Sequence, residues 1–142
     1  MTIDDERTEL LRQRYLRTQV ETATPVQRLL MLQNRLVQDL HAADAGFGAG
    51  SVEAVHRSLV HAQQIVLALR DSLNGSDWSG AEPLRAVYWF VYRRLIDCNM
   101  AKDPSLLPVC ISIIEQIVDA NTRAAAAAQA AELATAGAVP VA

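Results

Sequence analysis

Three histidines, two cysteines and a scatter of carboxylates are the side chains of this sequence best equipped for chemistry. His41, His56 and His61 form neither H-x-x-x-H nor H-E-x-x-H, so a metal site has no local signature. His56 and His61 are five apart, a poor spacing for gripping one ion from a helix. Cys98 and Cys110 are not a C-x-x-C pair; each sits in an apolar helical pattern, which predicts reduced, buried thiols. No phosphate loop or G-x-S-x-G elbow is present, and Gly46, Gly48 and Gly50 lack a following lysine. The carboxylates fall on expected exposed faces or near helix starts, where they act as caps and dipole partners. No catalytic residue, metal ligand or cofactor site is therefore assigned, and a binding protein is expected rather than an enzyme.

The elements that hold these residues are helices. Hydrophobic residues make up 51% of 142, enough for one domain with one core, but aromatics are only 5%, so the core must be aliphatic. A net charge of −3 gives no general attraction to nucleic acid or anionic lipid. The basic cluster Arg7, Arg12, Arg14, Arg17 is interleaved with Asp4, Asp5, Glu6 and Glu9, as on a solvated helix face. No apolar run approaches the ~20 residues of a membrane span. Met1 is followed by acids rather than a basic and then apolar stretch, which predicts that the chain stays in the cytosol.

Thr24-Pro25 with Gln27 spells a capping box with proline at the first helical position. An apolar stripe of 3.6 period follows through Leu29, Leu32, Leu36 and Leu40, and should end before the Gly46–Gly50 run. Ser51 caps a second stripe (Val55, Leu59, Ala62, Val66, Leu69) that Asn74-Gly75 stops. Ser79 with Glu82 predicts a third start, and Asp103-Pro104 a fourth, with Pro108 tolerated in the first turn. The last helix fades into Ala124–Ala131, of high helix propensity with little to bury. An earlier segment, capped at Asp4 or Asp5, carries Leu10, Leu11, Tyr15 and Leu16 on a narrow apolar edge and should be marginal alone. The expectation is an all-α fold: an antiparallel four-helix bundle with a short N-terminal helical segment packed on it. One domain spans 1–136, with 1–18 as a mobile segment and 137–142 as a disordered tail.

Two segments say more. The first is Tyr15-Leu16-Arg17-Thr18-Gln19-Val20-Glu21-Thr22-Ala23-Thr24-Pro25, followed by Leu29-Leu30-Met31-Leu32. The second is Val87-Tyr88-Trp89-Phe90-Val91-Tyr92-Arg93-Arg94-Leu95-Ile96-Asp97-Cys98-Asn99, followed by Asp103. Together, in this order, they resemble the FliS family, chaperones that hold flagellin before its secretion. The resemblance runs from about Tyr15 to Ala120. Departures are Gln33, where the family usually has a tyrosine, and Asn121, where it often has a tryptophan. The first removes a large amphipathic side chain and is expected to alter a partner contact.

The resemblance implies a cytoplasmic export chaperone. It would bind the disordered C-terminal segment of flagellin, prevent premature polymerisation and keep the client fit for flagellar type III secretion. Other flagellar export or regulatory proteins are further expected partners, and the chain itself a monomer or weak homodimer. The residues add their own argument. A bundle helix needs only a ~100° apolar face, yet Leu30, Val37, Trp89 and Phe90 fall off the main seams. They either pack on the Leu10–Leu16 segment or form surface for a partner. Candidate partner-binding residues are accordingly Leu11, Tyr15, Leu16, Val20, Leu30, Val37, Trp89 and Phe90. Leu11, Tyr15 and Leu16 are expected to form a mobile cover over the groove; for Tyr15, core anchor and direct client contact stay open beside that. Two rival functions remain: a small mutase-like bundle enzyme, which needs Arg and Glu pointing inward, and an interaction module with another helical partner.

Overall fold

A computed structural model describes residues 3–137, apart from the side chains of residues 19 and 20. Those residues form five α-helices: α1 (Ile3–Thr22), α2 (Pro25–Gly48), α3 (Val52–Asp71), α4 (Ala81–Ala101) and α5 (Leu107–Gly137), the last preceded by a 3-10 turn, Pro104–Leu106. Helices α2 to α5 make the expected bundle. α3 packs against α2 and α4, and α5 returns along α2 with a lesser contact to α4. The core is aliphatic, as the composition requires: Leu36, Leu40, Leu59, Val66, Leu69, Val91, Leu95 and Ile114 are wholly or almost wholly buried. Each such side chain contributes about 1.5–3 kcal/mol by leaving water. Cys98 and Cys110 are buried and free, as expected.

Local signals set the boundaries. Thr24 accepts the Gln27 N–H at 3.1 Å, while its own N–H donates to Gln27 Oε1 at 2.9 Å, completing the capping box. Ser51 Oγ accepts the Ala54 N–H at 3.2 Å and caps α3. Asp103 Oδ1 accepts from Ser105 N at 3.0 Å and from Ser105 Oγ at 2.7 Å, starting the turn that leads into α5.

Several expectations are corrected. α2 runs on through Gly46 to Gly48, because the α2–α3 crossing needs a glycine: a Cβ on Gly46 would lie 3.0 Å from Val55 Cγ2 and 3.2 Å from Val55 N. α4 starts one residue later than expected. Gly80 occupies its N-cap without a side-chain bond, and the Trp78 indole covers the place where a Cβ would stand, 2.3 Å from the nearest ring atom. The alanine-rich stretch stays in α5 as one exposed helix to Gly137; of the tail expected from 137, residues 138–142 lie outside the described residues.

The largest correction concerns α1. It is twenty residues long rather than short, and it is not packed on the bundle: every described side chain of it is exposed. Its apolar residues explain why. At 100° per residue, Leu10, Leu11, Tyr15 and Leu16 spread over about 240° of the circumference rather than one edge. Such a helix has no single face to bury.

Candidate functional site

The outer face of α4 carries the largest exposed aromatic surface on the bundle. Tyr88, Val91, Leu95 and Cys98 take the inward positions, which turns Trp89, Phe90 and Arg93 to solvent. Trp89 is 42% exposed and Phe90 41%, although neighbours on the same helix are fully buried. The rings are held in place. Trp89 stacks on Tyr92 with centroids 5.3 Å apart and planes 27° apart. Arg70, from α3, lies 4.9 Å over the Trp89 ring, and Arg94 lies 5.1 Å over Phe90. Aromatics flanked by guanidinium groups are favoured in this arrangement by the ring quadrupole. Ala86, Trp89, Phe90, Arg93, Arg94 and Asp97 line a shallow concavity along the helix.

A second concavity lies where α1 meets α2. Thr22, Ala23, Gln27, Leu30, Met31 and Asn34 line it. Leu30 is half-buried and Met31 exposed. The two surfaces lie on different helices.

The candidate residues therefore divide. Trp89 and Phe90 stand side by side on α4. Leu30 sits in the α1–α2 concavity. Leu11, Tyr15 and Leu16 are exposed on α1 and cover none of these places, so the expected cover is not seen. The two-residue link, Ala23–Thr24, holds α1 at the capped start of α2. The side chain of Val20 lies outside the described residues. Val37 is half-buried and packs against the core.

Gln33 overturns a sequence-based expectation. It is not at a partner surface but inside the bundle, 1% exposed, where its Nε2 donates to the Tyr88 hydroxyl at 3.3 Å across α2 and α4. Its Oε1 is buried with no hydrogen-bond partner. Burial raises the pKa of Tyr88, and the Gln33 hydrogen bond offsets part of that rise. A polar residue at this place in an apolar helix is the signal the sequence carries for it.

Asp39, likewise, is the exception to exposed carboxylates. It is buried on α2, pairs with Arg35 at 3.4 Å and bonds to His61 of α3. Arg93 and Arg94 line the same concavity as Asp97 and make no ion pair among the described residues. At the far end of α4, Asn99 donates to His56 Nδ1 at 3.1 Å and Lys102 Nζ reaches the Asn99 carbonyl at 2.7 Å. These contacts shape the helix end, where Lys102 takes the left-handed φ of 50°.

Gln33 and Asp39 are the only buried polar residues among those described, and they are engaged with Tyr88, Arg35 and His61 rather than lining a cavity. A mutase-like interior of inward Arg and Glu is not what the seams contain. No cluster of three metal-ligating side chains occurs among the described residues, and no described helix is long and apolar enough to cross a membrane.

Comparison with known proteins points the same way. The family model described as Flagellar protein FliS matches residues 8–128. The Flagellar secretion chaperone FliS of Bacillus subtilis (strain 168) is 31% identical over 93 residues, which cover 66% of this chain and 69% of that protein.

Proposed function

The chain belongs to the FliS family of flagellum-assembly chaperones, and from that premise we propose that its client is the C-terminal segment of flagellin, captured in the cytosol. The client is disordered as a monomer and winds into helix on the exposed apolar surface of the bundle. While it is held there it cannot enter a filament, and it stays unfolded enough for type III export. No cofactor and no catalytic step is needed.

One observation carries this reading. In a protein with seven aromatic residues, Trp89 and Phe90 sit together on the outside of a rigid helix while aliphatic side chains fill the core. Large ordered rings left in water mark a surface that a partner covers. Helix-in-groove binding coupled to folding costs about 2–5 kcal/mol in ordering the client, so a wide apolar contact is required. The exposed leucines of α1 extend that contact as an arm that closes on the bound client.

The test is polymerisation. Cognate flagellin monomers mixed with an equimolar amount of this chain should fail to elongate seeded filaments, as read by light scattering. Elongation at an unchanged rate would refute the client assignment.

A further inference from the structure

The α4 strip is cationic as well as aromatic, and its cations are unspent. Elsewhere Arg12, Arg35, Arg57 and Arg123 each hold a carboxylate. Arg70, Arg85, Arg93 and Arg94, on or against the strip, hold none among the described residues. The carboxylates of Glu82 and Asp97 share α4 but pair with no arginine. The Nε atoms of Arg70 and Arg85 are moreover buried without an acceptor.

Stacking leaves these groups ready for one. A guanidinium lying over a ring face keeps its N–H donors pointing outward in its own plane, free to take a carboxylate in a two-pronged bond. The guanidinium carbon of Arg94 lies 5.1 Å from the Phe90 ring centroid, and that of Arg70 lies 4.9 Å from the Trp89 centroid. Aliphatic side chains would lie on the rings and carboxylates on the guanidinium edges, about one helical turn apart.

Resting on the flagellin reading, the geometry points to a selection rule for the client: the segment that docks on α4 is an amphipathic helix with acidic residues three or four positions from its aliphatic anchors. The arginines set which stretch of the client sits there, and in which register. Charge complementarity supports that occupant, because a neutral or basic helix would leave four cations facing apolar or like-charged groups.

The experiment is a double-mutant cycle on the full chain. The probe is a synthetic peptide of the last ~50 residues of cognate flagellin, with a second peptide in which Asp and Glu become Asn and Gln. Arg93→Gln and Arg94→Gln should each weaken the native peptide about tenfold, the scale of one charged hydrogen bond. Added salt should weaken the wild-type complex and have less effect on the variants. The neutralised peptide should bind the wild-type chain more weakly and be indifferent to the arginine substitutions, so the effects couple rather than add. Arg57→Gln, on exposed α3 surface, is the control and should change nothing. Helical content and melting temperature verify that each variant is folded, and the neutralised peptide tests the rule without altering the chaperone.

Three results would overturn it. Native and neutralised peptides binding equally would remove the rule and leave the flagellin reading standing, whereas no binding of either would remove that reading itself. Arginine variants that abolish self-association of the chain but leave peptide affinity unchanged would assign the strip to a second copy, whose α1 carries leucines beside Glu6 and Glu9.

Discussion

At the residue scale, the buried polar groups make the sharpest predictions. Gln33 and Tyr88 depend on each other inside the bundle. Gln33→Leu or Tyr88→Phe alone should cost about 1–3 kcal/mol, because each removes one partner of a buried bond. The double substitution should cost less than either single one, since no buried polar atom of the pair is then left unmatched. Urea denaturation of the four proteins measures this directly. Two single substitutions whose costs simply add would show that the pair does not interact. The thiols predict a pH dependence. Burial pushes Cys110 up to about 12 from the ordinary value of 9.0, with the nearby Cys98 adding to the rise, and burial raises Cys98 too. A raised folded-state value favours the protonated thiol. The associated stability is complete below pH 9.0 and is lost as pH climbs towards about 12. Melting temperature should fall across that window, and Cys98→Ala/Cys110→Ala should flatten the fall. Thiol reagents at neutral pH should react with the native chain far more slowly than with the unfolded one.

At the element scale, the caps were legible and the close contacts were not. Thr24, Ser51 and Asp103 announce helix starts through short-range hydrogen bonds that a sequence spells out within four residues. Thr24→Ala should cost about 1 kcal/mol. Gly46 looked like a loop residue because glycine disfavours helix; only the approach of α3 shows that it is needed inside one. Gly46→Leu should destabilise the bundle by about 1–3 kcal/mol through overpacking against Val55, despite leucine's better helix propensity. Gly48→Leu, with open space around its Cβ, should not. α1 departs from expectation for a related reason: the angular spread of its leucines denies it a face to pack. A chain beginning at Thr18 should accordingly melt within a few degrees of the full one while binding flagellin roughly tenfold more weakly, because the leucines contribute only when a client is present. A large drop in melting temperature would instead show that α1 belongs to the bundle.

At the scale of the whole molecule, the distribution of aromatic residues distinguishes this bundle from a self-satisfied one. Tyr88 alone of the seven is fully buried, whereas Tyr15, Trp78, Trp89 and Phe90 are exposed. Periodicity revealed the all-α class and the seams, since it reports which face a helix buries. It also marked Trp89 and Phe90 as surplus to the seam. It could not separate Val37, which the core absorbs, or Gln33, which the core hides, because both depend on how neighbouring helices rotate against α2. The stacking of Arg70 on Trp89 was equally out of reach, since it joins α3 to α4.

The central claim is that this surplus surface receives a client that folds on arrival. Titration calorimetry against the flagellin C-terminal segment, repeated at several temperatures, tests it most directly. The claim predicts saturable binding with a clearly negative heat-capacity change, weakened at least tenfold in Trp89→Ala/Phe90→Ala. Binding of unchanged affinity to that variant, or a heat capacity unaltered on binding, would contradict it.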